Sequence, residues 1–186
     1  LARGGRVMFD HGALRTIRFA QGPTGALPAG EDAFTRIFLP LGYRMAALYP
    51  LDRLKMTGRA YAHIDAPEAI PQFFLSELHV DRFDADFAAA ASRIFGTSRD
   101  PLDAPTIALL DRYAAGEPVS FDDAAAALPV IVSAFDRQHE PPAFADYELL
   151  LSRSNEAAWI ATEGNAFNHA TDRVPDVAAL ADRLKA

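Results

Sequence analysis

The stretch "VMFDHGALRTIRF", residues 7–19, decides how this chain is read. It reads as a short strand, and residues two apart on a strand share a face. His11, Ala13 and Arg15 therefore point one way and Asp10 the other. Arg15 stands about 13 Å along the strand from His11, at ~3.3 Å per residue. Its long side chain can lean back over Ala13. A small anion near His11 would then meet a guanidinium, whose planar fork matches a carboxylate. A lone histidine on a strand is ordinarily only a hydrogen-bonded polar group, so the arrangement needs support from elsewhere.

Working outward, "GPTGALPAG" (22–30) is a turn-rich loop. In "EDAFTRIFLPLGY" (31–43), Phe34, Ile37, Phe38 and Leu41 fall at helical spacing, closed by Pro40 and Gly42. Residues 44–51, 58–66 and 69–80 read as three strands. The last carries Phe73, Leu75 and Glu77 on one face and Phe74, Ser76 and Leu78 on the other. The element order is strand, helix, strand, strand, strand. Alanine- and leucine-rich segments follow at 84–96, 102–115 and 121–139, with Ser120 or Asp122 placed to cap the third. Residues 143–152 and 154–162 continue the helical run.

The chain then repeats itself. "FNHATDR" (167–173) has the Phe-x-His-x-x-x-Arg pattern of "FDHGALR" (9–15). An amphipathic segment follows each copy, the second being "VPDVAALADRLKA" (174–186). Shared element order points to internal duplication. The expected division is a first βαβββ module at 1–83, a helical insertion at 84–163 and the start of a second module at 164–186. Three further strands would complete that second module beyond Ala186. A module left at one strand and one helix would expose a sheet edge, so a second copy of the chain is an expected partner.

The 186 residues are half hydrophobic and 23% charged, with a formal net charge of −7. That composition suits a globular protein and argues against nonspecific binding to nucleic acid or an anionic membrane. There are no cysteines, which excludes disulfides, zinc–thiolate sites and iron–sulfur clusters and is compatible with a cytoplasmic location. Any metal must be held by His, Asp, Glu and water. No apolar run reaches the ~18 residues of a spanning helix, and no signal peptide is visible. The chain begins at Leu1 rather than Met, so its start is expected upstream.

Two histidines from duplicated strands make a natural pair of metal ligands. With one carboxylate they form the facial triad of non-haem Fe(II) oxygenases. The other candidates read as ordinary groups. His63 and His79 end strands, and His139 precedes two prolines and is expected in solvent. Glu77 reads as an edge-exposed or salt-bridged glutamate. Lys55 sits in a basic run with Arg53 and Arg59, read either as a solvated turn or as help with a dicarboxylate. Trp159 reads as core.

Taken together, "DHGALRT", "PLGY", "LKMTGRAYAH", "QFFLSEL" and "EAAWIATEGNAFNHAT" resemble the 2-oxoadipate dioxygenase/decarboxylase family, the 2-hydroxyglutarate synthases. The resemblance spans most of residues 7–173. It implies an α+β, vicinal-oxygen-chelate-like fold: a βαβββ module, a large helical insertion and the start of a second module. It implies Fe(II) held by His11 and His169, with Arg15 as the catalytic arginine that contacts a substrate carboxylate beside His11. It also implies a third ligand, a glutamate downstream of Ala186, and neither Glu77 nor Glu163 is assigned to that place. The implied reaction takes 2-oxoadipate and O₂ to 2-hydroxyglutarate and CO₂, as in lysine breakdown. The alternatives are a metal enzyme of the same scaffold acting on another 2-oxo acid, and an inactive truncated binding module.

Overall fold

The computed structural model describes residues 10–167 and 174–185. Its organising element is β1 (His11–Arg18), which pairs in parallel with β4 (Gln72–His79). Parallel strands need a crossover, and α1 (Asp32–Phe38), β2 (Tyr43–Leu51) and β3 (Met56–His63) supply it. The two-residue β5 (Ala166–Phe167) adds antiparallel to the free side of β1. The sheet order is β2-β3-β4-β1-β5, so the segment read first in the sequence lies inside the sheet. The architecture is α+β and opens with βαβββ, as expected.

Register sorts the side chains by face, because residues paired across strands point the same way. On the reverse face stand Leu14, Leu75 and Tyr61, covered by α1 through Phe34, Ile37 and Phe38, each 1% exposed. Phe38 stacks on Phe73 at 4.6 Å between centroids and meets Tyr43 at 5.6 Å. Leu102 and Leu110 close the same core. On the front face, Ile17, Leu78 and Met56 pack under α2 (Ala85–Phe95), α5 (Phe144–Arg153) and α6 (Asn155–Glu163). The rest of the front face carries mainly small residues, Ala13, Ala60, Ser76 and Gly58, beside Phe74.

The helices begin where side chains satisfy their first N–H groups. Asp84 accepts from the N–H of Phe87, and Asp103 from that of Thr106 at the start of α3 (Ala104–Ala114). Ser120 caps α4 (Phe121–Ser133), and Ser154 caps α6. Helix α4 stops at Ser133 and not at residue 139. The N–H groups of Ala134 and Phe135 bond three residues back, which tightens the end. Phe135 then turns inward against Phe34 at 5.5 Å. Helix α1 likewise ends at Phe38, just before Pro40, which has no N–H to give. Helix α7 (Val177–Lys185) forms inside the amphipathic segment read at 174–186. Among the described residues, no helix is long and apolar enough to cross a membrane.

His139, expected in solvent, is 5% exposed. Its Nε2–H donates to the Ala161 carbonyl at 3.0 Å, and its ring meets Phe95 edge-on at 5.0 Å. The turn after α4 folds back under α6, which no local pattern announces.

Glu77 is 1% exposed in the interior of the sheet, not at its edge. It accepts from Arg18 Nε at 2.7 Å and from the Glu31 N–H at 2.8 Å, with Arg59 Nη1 at 3.5 Å. Glu31 takes Arg59 Nε at 2.7 Å and the Tyr61 hydroxyl at 3.2 Å. Burial, and then the Glu31 charge, push the Tyr61 pKa up to about 12. Gly30 makes this approach feasible. It sits at φ +52°, and a Cβ there would lie 1.9 Å from Glu77 Oε2. The cluster ties β1, β3, β4 and the start of α1 together.

Glu77→Ala removes the shared acceptor of two largely buried arginines. It should cost about 3 kcal/mol of stability, the low end for a broken buried pair because Arg18 keeps some solvent. Guanidinium unfolding measures it, and a loss below about 1 kcal/mol contradicts the account. A second expectation concerns acid. Burial holds the His139 pKa below its ordinary 6.5, partly offset by the bond to Ala161. Between that lowered value and about 6.5 the unfolded chain binds the extra proton and the folded one does not. Stability present above that range is therefore lost as pH falls through it. Urea midpoints at about pH 7.5 and 5.5 should diverge less in His139→Gln than in the wild type.

Candidate active site

The front face of β1 presents His11, Ala13 and Arg15, in register with Gln72, Phe74 and Ser76 of β4. Ala60 and Gly58 of β3 continue the last two rows. Ala13, Ala60, Ser76 and Gly58 are the small residues of this face, with Phe74 as the large one beside them. A Cβ on Gly58 would come within 2.6 Å of the Phe74 ring, so that ring lies across Gly58. Tyr49 supports it at 5.6 Å. A histidine and an arginine thus stand beside a patch of small residues on one face of the sheet.

His11 is paired with its neighbour. Its Nδ1 lies 3.1 Å from Asp10 Oδ2, with 28% and 35% of the two side chains exposed. Strand alternation alone sends Asp10 to the other face, but Asp10 precedes β1, where the pleat no longer governs direction. A carboxylate on Nδ1 fixes the tautomer and presents Nε2 as the coordinating nitrogen, which is how metal-binding histidines are commonly held. His11 and Asp10 therefore have the donor chemistry of one corner of a metal centre. The second expected ligand, His169, lies outside the described residues. Among the described residues, no group of three or more His, Asp or Glu is placed to hold a metal.

Arg15 does not lean back over Ala13. Its Nε meets Glu156 Oε2 at 2.8 Å, and its guanidinium lies over the Trp159 ring at 5.6 Å from the centroid. Burial lowers the Arg15 pKa, and Glu156 opposes that shift. An arginine stays protonated under either influence. Trp159, expected in the core, is 39% exposed. The sequence gives Asp10 and Trp159 other places and says nothing of Glu156, so none of the three is foreseen as a neighbour of His11 or Arg15. The last two had a signal, because three residues apart on a helix is one side of it.

The remaining candidates sit elsewhere. Glu77 and His79 are on the reverse face, where His79 Nε2 lies 2.8 Å from Thr57 Oγ1. His63 ends β3 with its ring edge-on to Tyr43. Lys55 is held at φ 55°, with Nζ 3.9 Å from the Phe83 ring centroid, and is not a freely solvated turn. With Arg53 and Arg153 it lines a groove of about 320 Å³ that Glu156 also borders. Glu163 ends α6, exposed.

Residues 5–186 match the family model for 2-oxoadipate dioxygenase/decarboxylase. No curated protein sequence matches the chain. Among solved structures, a protein from Ralstonia eutropha JMP134 assigned to the glyoxalase superfamily is 54% identical, with a TM-score of 0.91 over 99% of this chain. The present chain covers 57% of that protein's length. The hydroxyglutarate synthase of Oryza sativa, solved with 2-oxoadipate, has a TM-score of 0.66 at 21% identity, covering 98% of this chain and 53% of its own. That of Pseudomonas putida, also with 2-oxoadipate, has a TM-score of 0.70 at 19% identity, covering 94% and 39%. At such identities the two synthases speak for the fold, whereas the family match extends over nearly every residue: the chain belongs to the 2-oxoadipate dioxygenase/decarboxylase family.

Proposed function

We propose that this chain carries part of the active site of an Fe(II)-dependent dioxygenase that converts 2-oxoadipate and O₂ to 2-hydroxyglutarate and CO₂. The observation that carries the proposal is the presentation of His11 and Arg15 on one open face of β1, in a chain matched to the family from residue 5 to 186. His11 and His169 would hold the metal, completed by a carboxylate. Bound there, Fe(II) would supply an electrophilic template for the 2-oxo acid and a site for oxygen.

The chain's own residues do the rest. Asp10 keeps the His11 ring in one orientation. A 2-oxo acid that meets a metal through its keto and adjoining carboxylate oxygens leaves its remote carboxylate for Arg15. The small side chains of Ala13 and Ala60 would border the methylene chain, and Phe74 would give it an apolar surface. Holding both ends fixes which carbon faces the metal.

Oxygen consumption by the Fe(II)-loaded protein tests this, with 2-oxoadipate against 2-oxoglutarate. Uptake with 2-oxoadipate, lost in His11→Ala and in His169→Ala, is expected. Uptake only with 2-oxoglutarate would transfer the reading to another 2-oxo acid, and no uptake with either would overturn it. Asp10→Asn should weaken metal binding by about tenfold or more, read as the Fe(II) concentration giving half-maximal activity.

A further inference from the structure

Helix α6 carries two residues that the proposed chemistry leaves unused, and both touch Arg15. Glu156 Oε2 lies 2.8 Å from Arg15 Nε, with the two side chains 24% and 17% exposed. The guanidinium carbon lies over the Trp159 ring, 5.6 Å from its centroid. One contact is an ion pair at Nε and the other a cation–π contact. The helix that brings them is firmly seated. Ala157, Ile160 and Ala161 are fully buried, and Ser154 caps the first turn through the Ala157 N–H. Glu156 stands in that first turn, where the helix dipole favours a carboxylate.

An arginine side chain carries about 2 kcal/mol of rotamer entropy, which a ligand must overcome when it orders the group. Contacts with Glu156 and Trp159 made before the ligand arrives remove much of that cost, the usual route to affinity by preorganisation. Glu156 engages the guanidinium at Nε and so fixes the direction in which the group points. Glu156 also balances the charge of a largely buried cation, so that attraction depends on geometry more than on net charge.

We propose that Glu156 and Trp159 are the positioning residues of the Arg15 grip and that they give the site on β1 its preference for a ligand with a carboxylate at both ends. The inference rests on the reading of Arg15 as the residue that takes a substrate carboxylate. It adds the part of the site that makes Arg15 selective, and it places that part on the helical insertion, outside the βαβββ module.

Trp159 is the only tryptophan in the chain, so its fluorescence reports directly on this contact. The test titrates the protein under nitrogen, with and without Fe(II), using 2-oxoadipate and 2-oxohexanoate, which has the same chain length and no remote carboxylate. Binding of 2-oxoadipate should change the Trp159 emission, and Arg15→Ala should abolish that change. Glu156→Ala should weaken 2-oxoadipate by about tenfold while leaving the affinity for 2-oxohexanoate, read by competition, where it was. Glu156→Gln keeps an acceptor for the Nε–H and should recover most of the loss. An unchanged or tighter affinity in Glu156→Ala would overturn the proposal by making Glu156 a bystander or a competitor. Equal weakening of both ligands would overturn it too, as the mark of a merely structural role. So would wild-type emission that 2-oxoadipate does not move. Selective 2-oxoadipate binding without oxygen uptake would refute the dioxygenase reading and retain this one. Oxygen uptake with affinity indifferent to Glu156→Ala would do the reverse.

Discussion

The parallel register of β1 against β4 is the constraint on which the rest depends. With His11 opposite Gln72 and Arg15 opposite Ser76, the imidazole and the guanidinium share the front face. A slip of one residue would send both into the aromatic core under α1. Parallel ladders are no stronger per residue than antiparallel ones, so something must fix the alignment. On the reverse face, Glu77 accepts from Arg18 at the far end of β1 and from the first backbone N–H before α1. That geometry exists in one register only. The ion cluster fixes the strand from behind and leaves the front free for chemistry.

The front face depends on a different part of the chain. The βαβββ module supplies the floor and the two polar residues of β1, but it does not orient Arg15. Helix α6 does, more than a hundred residues later in the sequence. The buried turn at His139 holds that helix down through the Ala161 carbonyl. Packing in the helical layer is thereby linked to the direction in which one guanidinium points. Such a chain of contacts explains why an insertion that resembles inert packing in composition cannot drift independently of the sheet.

Much of this was legible in the sequence. Alternation gave the faces of β1 and β4, and helical spacing gave α1 through Phe34, Ile37 and Phe38. Of the helix caps, the one at the start of α4 was read, as Ser120 or Asp122, and it is Ser120. What stayed hidden were contacts between residues distant in sequence. His139 before two prolines looks solvated, because nothing local says that the turn folds beneath α6. Trp159 looks like core, because a lone large aromatic usually is. Its place at the rim follows only once Arg15 reaches it. Asp10 was set on the wrong side by extending the pleat one residue beyond the strand.

Arg15 and Arg18 show why such partners escape a one-dimensional reading. Both are arginines on one strand, both are paired with a glutamate at hydrogen-bond distance, and both are partly buried. Their odd spacing puts them on opposite faces. Behind the sheet, Glu77 is 1% exposed and shared between two arginines, so its pair is closed and its purpose is to hold the strand. In front, Glu156 keeps 24% of its side chain accessible and meets Arg15 at Nε, beside a tryptophan that solvent reaches. The same two residue types thus make a fixed tie on one face and an oriented binding group on the other. What separates them is which face the pleat assigns and whether a helix closes over it.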